Sequence, residues 1–199
     1  MAHSSFTDRW SEEARAQLGQ LAAHAIVHAV MHGRALPVDV AQCAPELQQQ
    51  GACFVTLLKN GELRGCIGSL EPRQPLACDV ADNACSACLR DPRFAPVEGD
   101  ELRNMTAEVS VLSPLTEIQV ASEQALLEHL QPFRDGLVID DGYHRATFLP
   151  SVWEQLPEKR EFVEHLKLKA GMNRQGWTEK IRCYVYTVEK FSVKNLLMD

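Results

Sequence analysis

Apolar positions recur at three- and four-residue steps between Trp10 and Met31, where Ala14, Leu18, Leu21, Ala22, Ala25 and Ala29 form one stripe. The spacing predicts an amphipathic helix over 7–33, capped by Thr7 or Ser11 and stopped by Gly33. After a looser segment with Pro37 and Pro45 the period changes. Residues 52–58 and 62–70 predict two strands joined at Asn60-Gly61, the dipeptide most typical of a tight hairpin, and Pro72 and Pro75 end the second. Helical spacing returns over 76–89, with Pro75 suited to a first turn and Asp91-Pro92 as the stop. Residues 105–112 alternate as a strand, 122–130 form a serine-capped helix, and 137–140 with 144–149 make a second hairpin around Asp141-Gly142. Helical signals cover 151–156 and 158–170, and 180–193 is strand-forming throughout. Hairpins with helices between them predict an α+β fold, largely antiparallel sheets with flanking helices.

Composition narrows the class. The 199 residues are enough for one domain, 1–199, or two tightly joined subdomains, and no repeat or linker divides them. A formal charge of -7 without a basic cluster makes nucleic acid an unlikely partner. No apolar run approaches the roughly 20 residues that cross a bilayer, and residues 1–8 lack a basic-then-apolar signal pattern, so a cytoplasmic protein away from the membrane is expected. Seven cysteines, an odd number, fit free thiols in a reducing compartment better than a disulfide framework.

Candidate chemistry concentrates in Leu63-Arg64-Gly65-Cys66-Ile67-Gly68. Glycines weaken a strand unless a backbone or ligand must approach closely. A two-residue loop sets Lys59 opposite Glu62, Leu57 opposite Arg64 and Val55 opposite Cys66. Phe54, Thr56, Leu58, Leu63, Gly65 and Ile67 then share the core face, and Glu62, Arg64 and Cys66 share the other. On that register Arg64 favours the Cys66 thiolate and anchors an anion, with Glu62 opposing unless it pairs with Lys59 or Arg64. Cys66 as a small buried hydrophobe is the competing reading.

The same residues carry a resemblance. Phe54-Val55-Thr56-Leu57, Leu63 to Gly68, Asp91-Pro92-Arg93-Phe94, Val109-Ser110-Val111-Leu112-Ser113-Pro114, Phe148-Leu149-Pro150 and Lys169-Ala170-Gly171 occur in the order found in the AMMECR1-domain family, over roughly 50–190. The resemblance implies two closely packed subdomains in one compact unit. It also implies partners, Memo-like and radical-SAM-like proteins, in the bacterial and archaeal system called AmmeMemoRadiSam. It brings no assigned activity. Its suspected site is Arg64, Gly65, Cys66 and Gly68, with Asp91 and Arg93 next.

Other groups are weaker. Cys85 and Cys88 have redox-motif spacing but fall late in a helix, and Cys78 offers no complete metal set with them. His24, His28 and His32 lie along one helix flank without a further ligand, and nothing local brings His144 to Cys66. Neither a metal nor a cofactor is expected. The chain is therefore read as a small enzyme using Cys66 and Arg64, with Asp91 or Glu62 orienting an arginine or moving a proton, and Gly65, Gly68, Arg93 and Glu62 around an anionic substrate. The alternative is a binding or adaptor module docking a partner on the same face.

Overall fold

The computed structural model describes residues 10–174, 176–178 and 180–197. Contacts divide the chain into two units, one made of 1–112 with 189–199 and the other of 113–188. The α+β prediction holds in both, each built on an antiparallel sheet with helices.

In the first unit, helix α1 (Glu12–His32) starts where Ser11 Oγ accepts the Ala14 N–H and ends where Gly33 takes a left-handed φ of 69°. Ser11 is thus the cap; Thr7 lies outside the described residues. The buried stripe of α1 is mostly alanine, which lets helix α3 (Leu76–Leu89) lie close through Ala77, Val80, Ala81 and Ala84. Short helix α2 (Pro45–Gln48) and a two-residue ladder, β1 (Gln50–Gly51) with β4 (Gln74–Pro75), complete the frame around α3.

Strands β2 (Cys53–Lys59), β3 (Glu62–Gly68), β5 (Met105–Leu112) and β10 (Val188–Val193) form a sheet in the order β10-β5-β2-β3. Cys53, Val55 and Leu57 of β2 are fully buried beneath the helices, as are Ala107, Val109 and Val111 of β5. This reverses the expected faces of β2, while Gly65 and Ile67 keep the core face and Cys66 the other, as expected. The loop does pair Lys59 with Glu62 and Leu58 with Leu63, but Leu57 then pairs with Gly65, Thr56 with Cys66 and Val55 with Ile67. Arg64 is the extra residue of a β-bulge, and one inserted residue changes which face of β2 everything beyond it shares. Cys66 therefore faces away from the helices, with Thr56 and Phe54.

The second unit has strands β6 (Thr116–Ile118), β7 (Gly136–Asp140), β8 (Arg145–Phe148) and β9 (Arg182–Tyr186) in the order β6-β9-β7-β8. Helices α4 (Glu123–His129) and α5 (Lys159–Lys169) cover a core in which Trp153 stacks on Phe162, ring centroids 3.6 Å apart. The single strand predicted over 180–193 is two, β9 and β10, in different sheets on either side of Thr187. Apolar alternation cannot mark that change, because strand-forming residues continue through it.

Candidate functional site

Strand β3 is the last strand of its sheet, so the outer N–H and C=O groups at Cys66 lack a neighbouring strand. Two side chains from the turn after α3 take its place. Asp91 Oδ2 accepts the Cys66 N–H at 2.8 Å, and Arg93 Nη2 donates to the Cys66 carbonyl at 3.2 Å. Asp91 is also the partner of Arg93, accepting from Nε at 2.9 Å and from Nη2 at 2.6 Å. The segment Asp91-Pro92-Arg93 thus behaves as a short artificial strand against Cys66. Asp91 is buried while half of the Arg93 side chain is exposed.

The hydrogen bonds from Arg93 hold the Asp91 carboxyl well below the usual carboxylate range, with the Cys66 N–H adding to them against the upward push of burial. A depressed folded-state pKa contributes stability that is complete above the unfolded value near ~3.9 and is lost as pH falls below it. Wild-type protein should accordingly lose stability between about pH 4 and 2, and Asp91→Asn should show a shallower fall. Denaturant unfolding followed across that range checks it; parallel curves would count against the clamp.

Arg64 is placed differently from the sequence expectation. The bulge turns it to the helix side of the sheet, where Nε and Nη2 form a bidentate pair with Glu101 at 2.9 and 2.8 Å. Its remaining donors reach the Ala95 carbonyl at 3.0 Å and the Pro96 carbonyl at 3.3 Å. Lys59 binds the same Glu101 carboxylate at 2.8 Å. Arg64 and Lys59 hold Glu101 well below the carboxylate range, the Arg64 bond acting most. Arg64 therefore ties the segment after α3 to the hairpin, and it is not on the face of the thiol. Glu62 lies exposed at the hairpin end, and Glu101, unmarked in the sequence, takes the pairing expected of it.

The two glycines are filled by protein. A Cβ on Gly65 would stand 2.4 Å from the Ala87 carbonyl oxygen of α3, and one on Gly68 would stand 2.3 Å from the Phe54 ring. They permit close packing, so their expected role against a substrate is replaced by contact with α3 and Phe54. A buried network fastens α3 to the same place, with Asp79 accepting from the Cys53 N–H, Ser69 and Asn83.

What packing leaves over is the Cys66 side chain. Cys66 is half-buried, and its thiol receives the Thr56 hydroxyl at 3.3 Å. Arg93, not Arg64, is the guanidinium beside Cys66, and the Cys66 sulfur is among the groups that raise the guanidinium's pKa, after Asp91. Arg93 Nη1 has no hydrogen-bond partner among the described residues and remains available to an anion.

An AMMECR1 family model matches residues 19–191, most of the chain. The chain belongs to the AMMECR1 family. Protein MJ0810 of Methanocaldococcus jannaschii is 35% identical over 174 residues, covering 85% of each chain. A Thermotoga maritima protein is 35% identical over 164 residues, 81% of this chain and 89% of its own. The crystal structure of uncharacterized protein PH0010 from Pyrococcus horikoshii matches with a TM-score of 0.81 at 32% identity over 92% of each chain. None of these names carries an activity.

The other candidate groups of this AMMECR1-family chain are engaged by burial or by near neighbours. Cys85 and Cys88 are buried in the core, and burial pushes the Cys88 thiol up to about 12. The His28 and His32 rings lie 4.4 Å apart beside Val27 and Met31. Among the described residues no group of three His, Cys, Asp or Glu side chains is arranged to hold a metal. His144 belongs to the second unit, where its ring meets Asp141 at 3.1 Å. Asp141 is lowered to about 2 by the His144 and Tyr143 backbone N–H groups. No helix among the described residues is long and apolar enough to cross a membrane.

Proposed function

We propose that this protein is a small enzyme that works through the Cys66 thiol on an anionic small molecule or a modified macromolecule. Arg93 makes the anion contact, and Asp91 positions Arg93. One observation carries the reading. Arg64, Gly65 and Gly68 of the six-residue motif have packing or ion-pair partners, whereas Cys66 is only half-buried, its thiol beside a hydroxyl donor and its backbone carbonyl held by a guanidinium. A thiol in such surroundings is suited to nucleophilic attack, with the guanidinium holding the negative charge of the substrate beside it. Seven free cysteines suit a reducing, cytoplasmic setting, and the family resemblance supports work alongside Memo-like and radical-SAM-like proteins.

A second reading, a binding or adaptor module, draws on the same engagement of Arg64 and the glycines, since a motif that only builds a strand edge needs no reaction. Alkylation separates the two. Cys66 should react first of the seven thiols, because burial raises the other six, Cys88 and Cys183 to about 12. The ratio of iodoacetate to iodoacetamide rates should fall about fivefold in Arg93→Gln, the loss of one exposed charge contact. Cys66→Ser should fold with a nearly unchanged Tm and take no label at that position. Protection of Cys66 until the protein unfolds would leave the adaptor reading standing.

A further inference from the structure

Strand register extends the thiol's surroundings across the sheet. Cys66 of β3 pairs with Thr56 of β2, and Thr56 pairs with Glu108 of β5, so the three side chains form one row on the face away from the helices. Lys190 of β10 continues the row, its ammonium 3.1 Å from Glu108 Oε1. With Arg93 beyond the edge of β3, the order across the sheet is guanidinium, thiol, hydroxyl, carboxylate, ammonium. Neighbouring strands lie about 4.8 Å apart, so Glu108 stands about 10 Å from Cys66. Phe54 and Leu58, two residues either side of Thr56 and partly exposed, offer apolar surface along the gap.

We propose that Glu108 is a second subsite of the Cys66 site, taking an amino group that the substrate carries about 10 Å from its reacting atom. This rests on the Cys66 reading above and adds a substrate class to it, an elongated molecule with an anion at one end and an amine at the other. A carboxylate only accepts hydrogen bonds, so it selects a donor, and an ammonium best satisfies its charge. The present partners of Glu108 are replaceable. The Lys190 side chain is 48% exposed and that of Glu108 29%, a kind of pair that holds weakly in water, and the Ser110 hydroxyl lies at a long 3.5 Å. A substrate ammonium can take the place of Lys190 without moving the backbone.

A chain-length series of methanethiosulfonates tests this. Each reagent transfers its alkylthio group to Cys66, forming a mixed disulfide and releasing methanesulfinate, with the thiol proton going to solvent. Aminoethyl, aminobutyl and aminohexyl reagents are compared with neutral ethyl, butyl and hexyl ones, and the rate at Cys66 is read by peptide mass spectrometry. The amino-to-neutral rate ratio should rise with length, reaching about fivefold for aminohexyl. Glu108→Gln should abolish the rise, Lys190→Ala should steepen it, and thermal unfolding of both variants should stay near wild type. Fast labelling with no length dependence, or one that survives Glu108→Gln, overturns the subsite and leaves the Cys66 reading intact. Should Glu108→Gln fail to fold, Lys190→Ala alone decides, and an unsteepened ratio overturns the subsite. Absence of labelling in the folded protein overturns both, and the iodoacetamide rate shows independently that the thiol itself is at fault.

Discussion

Arg64→Ala should lower the stability of the first unit by about 3 kcal/mol and leave the anion preference of the Cys66 thiol intact. The guanidinium is largely buried and engages both Glu101 oxygens and the Ala95 and Pro96 carbonyls. Truncation strands a largely buried carboxylate with only the part-exposed Lys59 as a cationic partner. It also releases two carbonyls. Removing one member of a buried pair typically costs ~3–5 kcal/mol, and residual exposure at this site favours the lower end. Arg64→Lys should recover little, since an ammonium cannot reproduce a bidentate fork together with two carbonyl contacts. Hydrogen exchange, read separately over β2–β3 and β7–β9, locates the loss; it should fall on the first pair. An unchanged Tm combined with a lost preference for iodoacetate would show instead that Arg64, not Arg93, serves the thiol.

Gly65→Ala should be as damaging through a single methyl group. Its Cβ would sit 2.4 Å from the Ala87 carbonyl oxygen, a backbone atom, with Leu57 Cδ1 at 3.4 Å. Relief requires α3 to move off the sheet. That helix is held there by Asp79 and Asn83, which grip the Cys53 N–H and carbonyl at 2.9 and 3.2 Å. Overpacking against a fixed element costs up to ~3 kcal/mol, which for a domain of this size lowers Tm by roughly 6–12 °C. Gly61→Ala is the contrasting control, because nothing lies within 4 Å of that Cβ and only the left-handed φ of 88° opposes it. Equal losses at both positions would mean that conformational strain, not the approach of α3, governs Gly65.

Several elements were legible because their signals are local. Helix α3 and strand β5 have the bounds their periodicity predicts, and Ser11 and Gly33 cap α1 by their own side-chain and backbone chemistry. Strand β6, three residues long, offers too few positions for alternation to register. At the site, the sequence picked out Cys66, Asp91 and Arg93, which the structure brings together. It paired the thiol with the wrong arginine. Asn60-Gly61 sets the first pairs of the hairpin correctly, and the error enters only at Arg64, where a bulge shifts the register. Glu101, Glu108 and Lys190 carried no local mark, since an isolated charged residue resembles any solvated one. An acidic residue about 40 positions from two cations, as Glu101 is from Lys59 and Arg64, becomes a partner only through the fold.

By itself the sequence determined the α+β class, the hairpin and a thiol-bearing strand flanked by two glycines, because hydrophobic period, turn residues and capping act over a few neighbours. Tertiary structure decided which face of β2 enters the core, on which side of the sheet Arg64 lies and which charges the thiol meets. Face depends on register, register on one inserted residue, and the stability of that bulge on Glu101 and α3, far away in the chain.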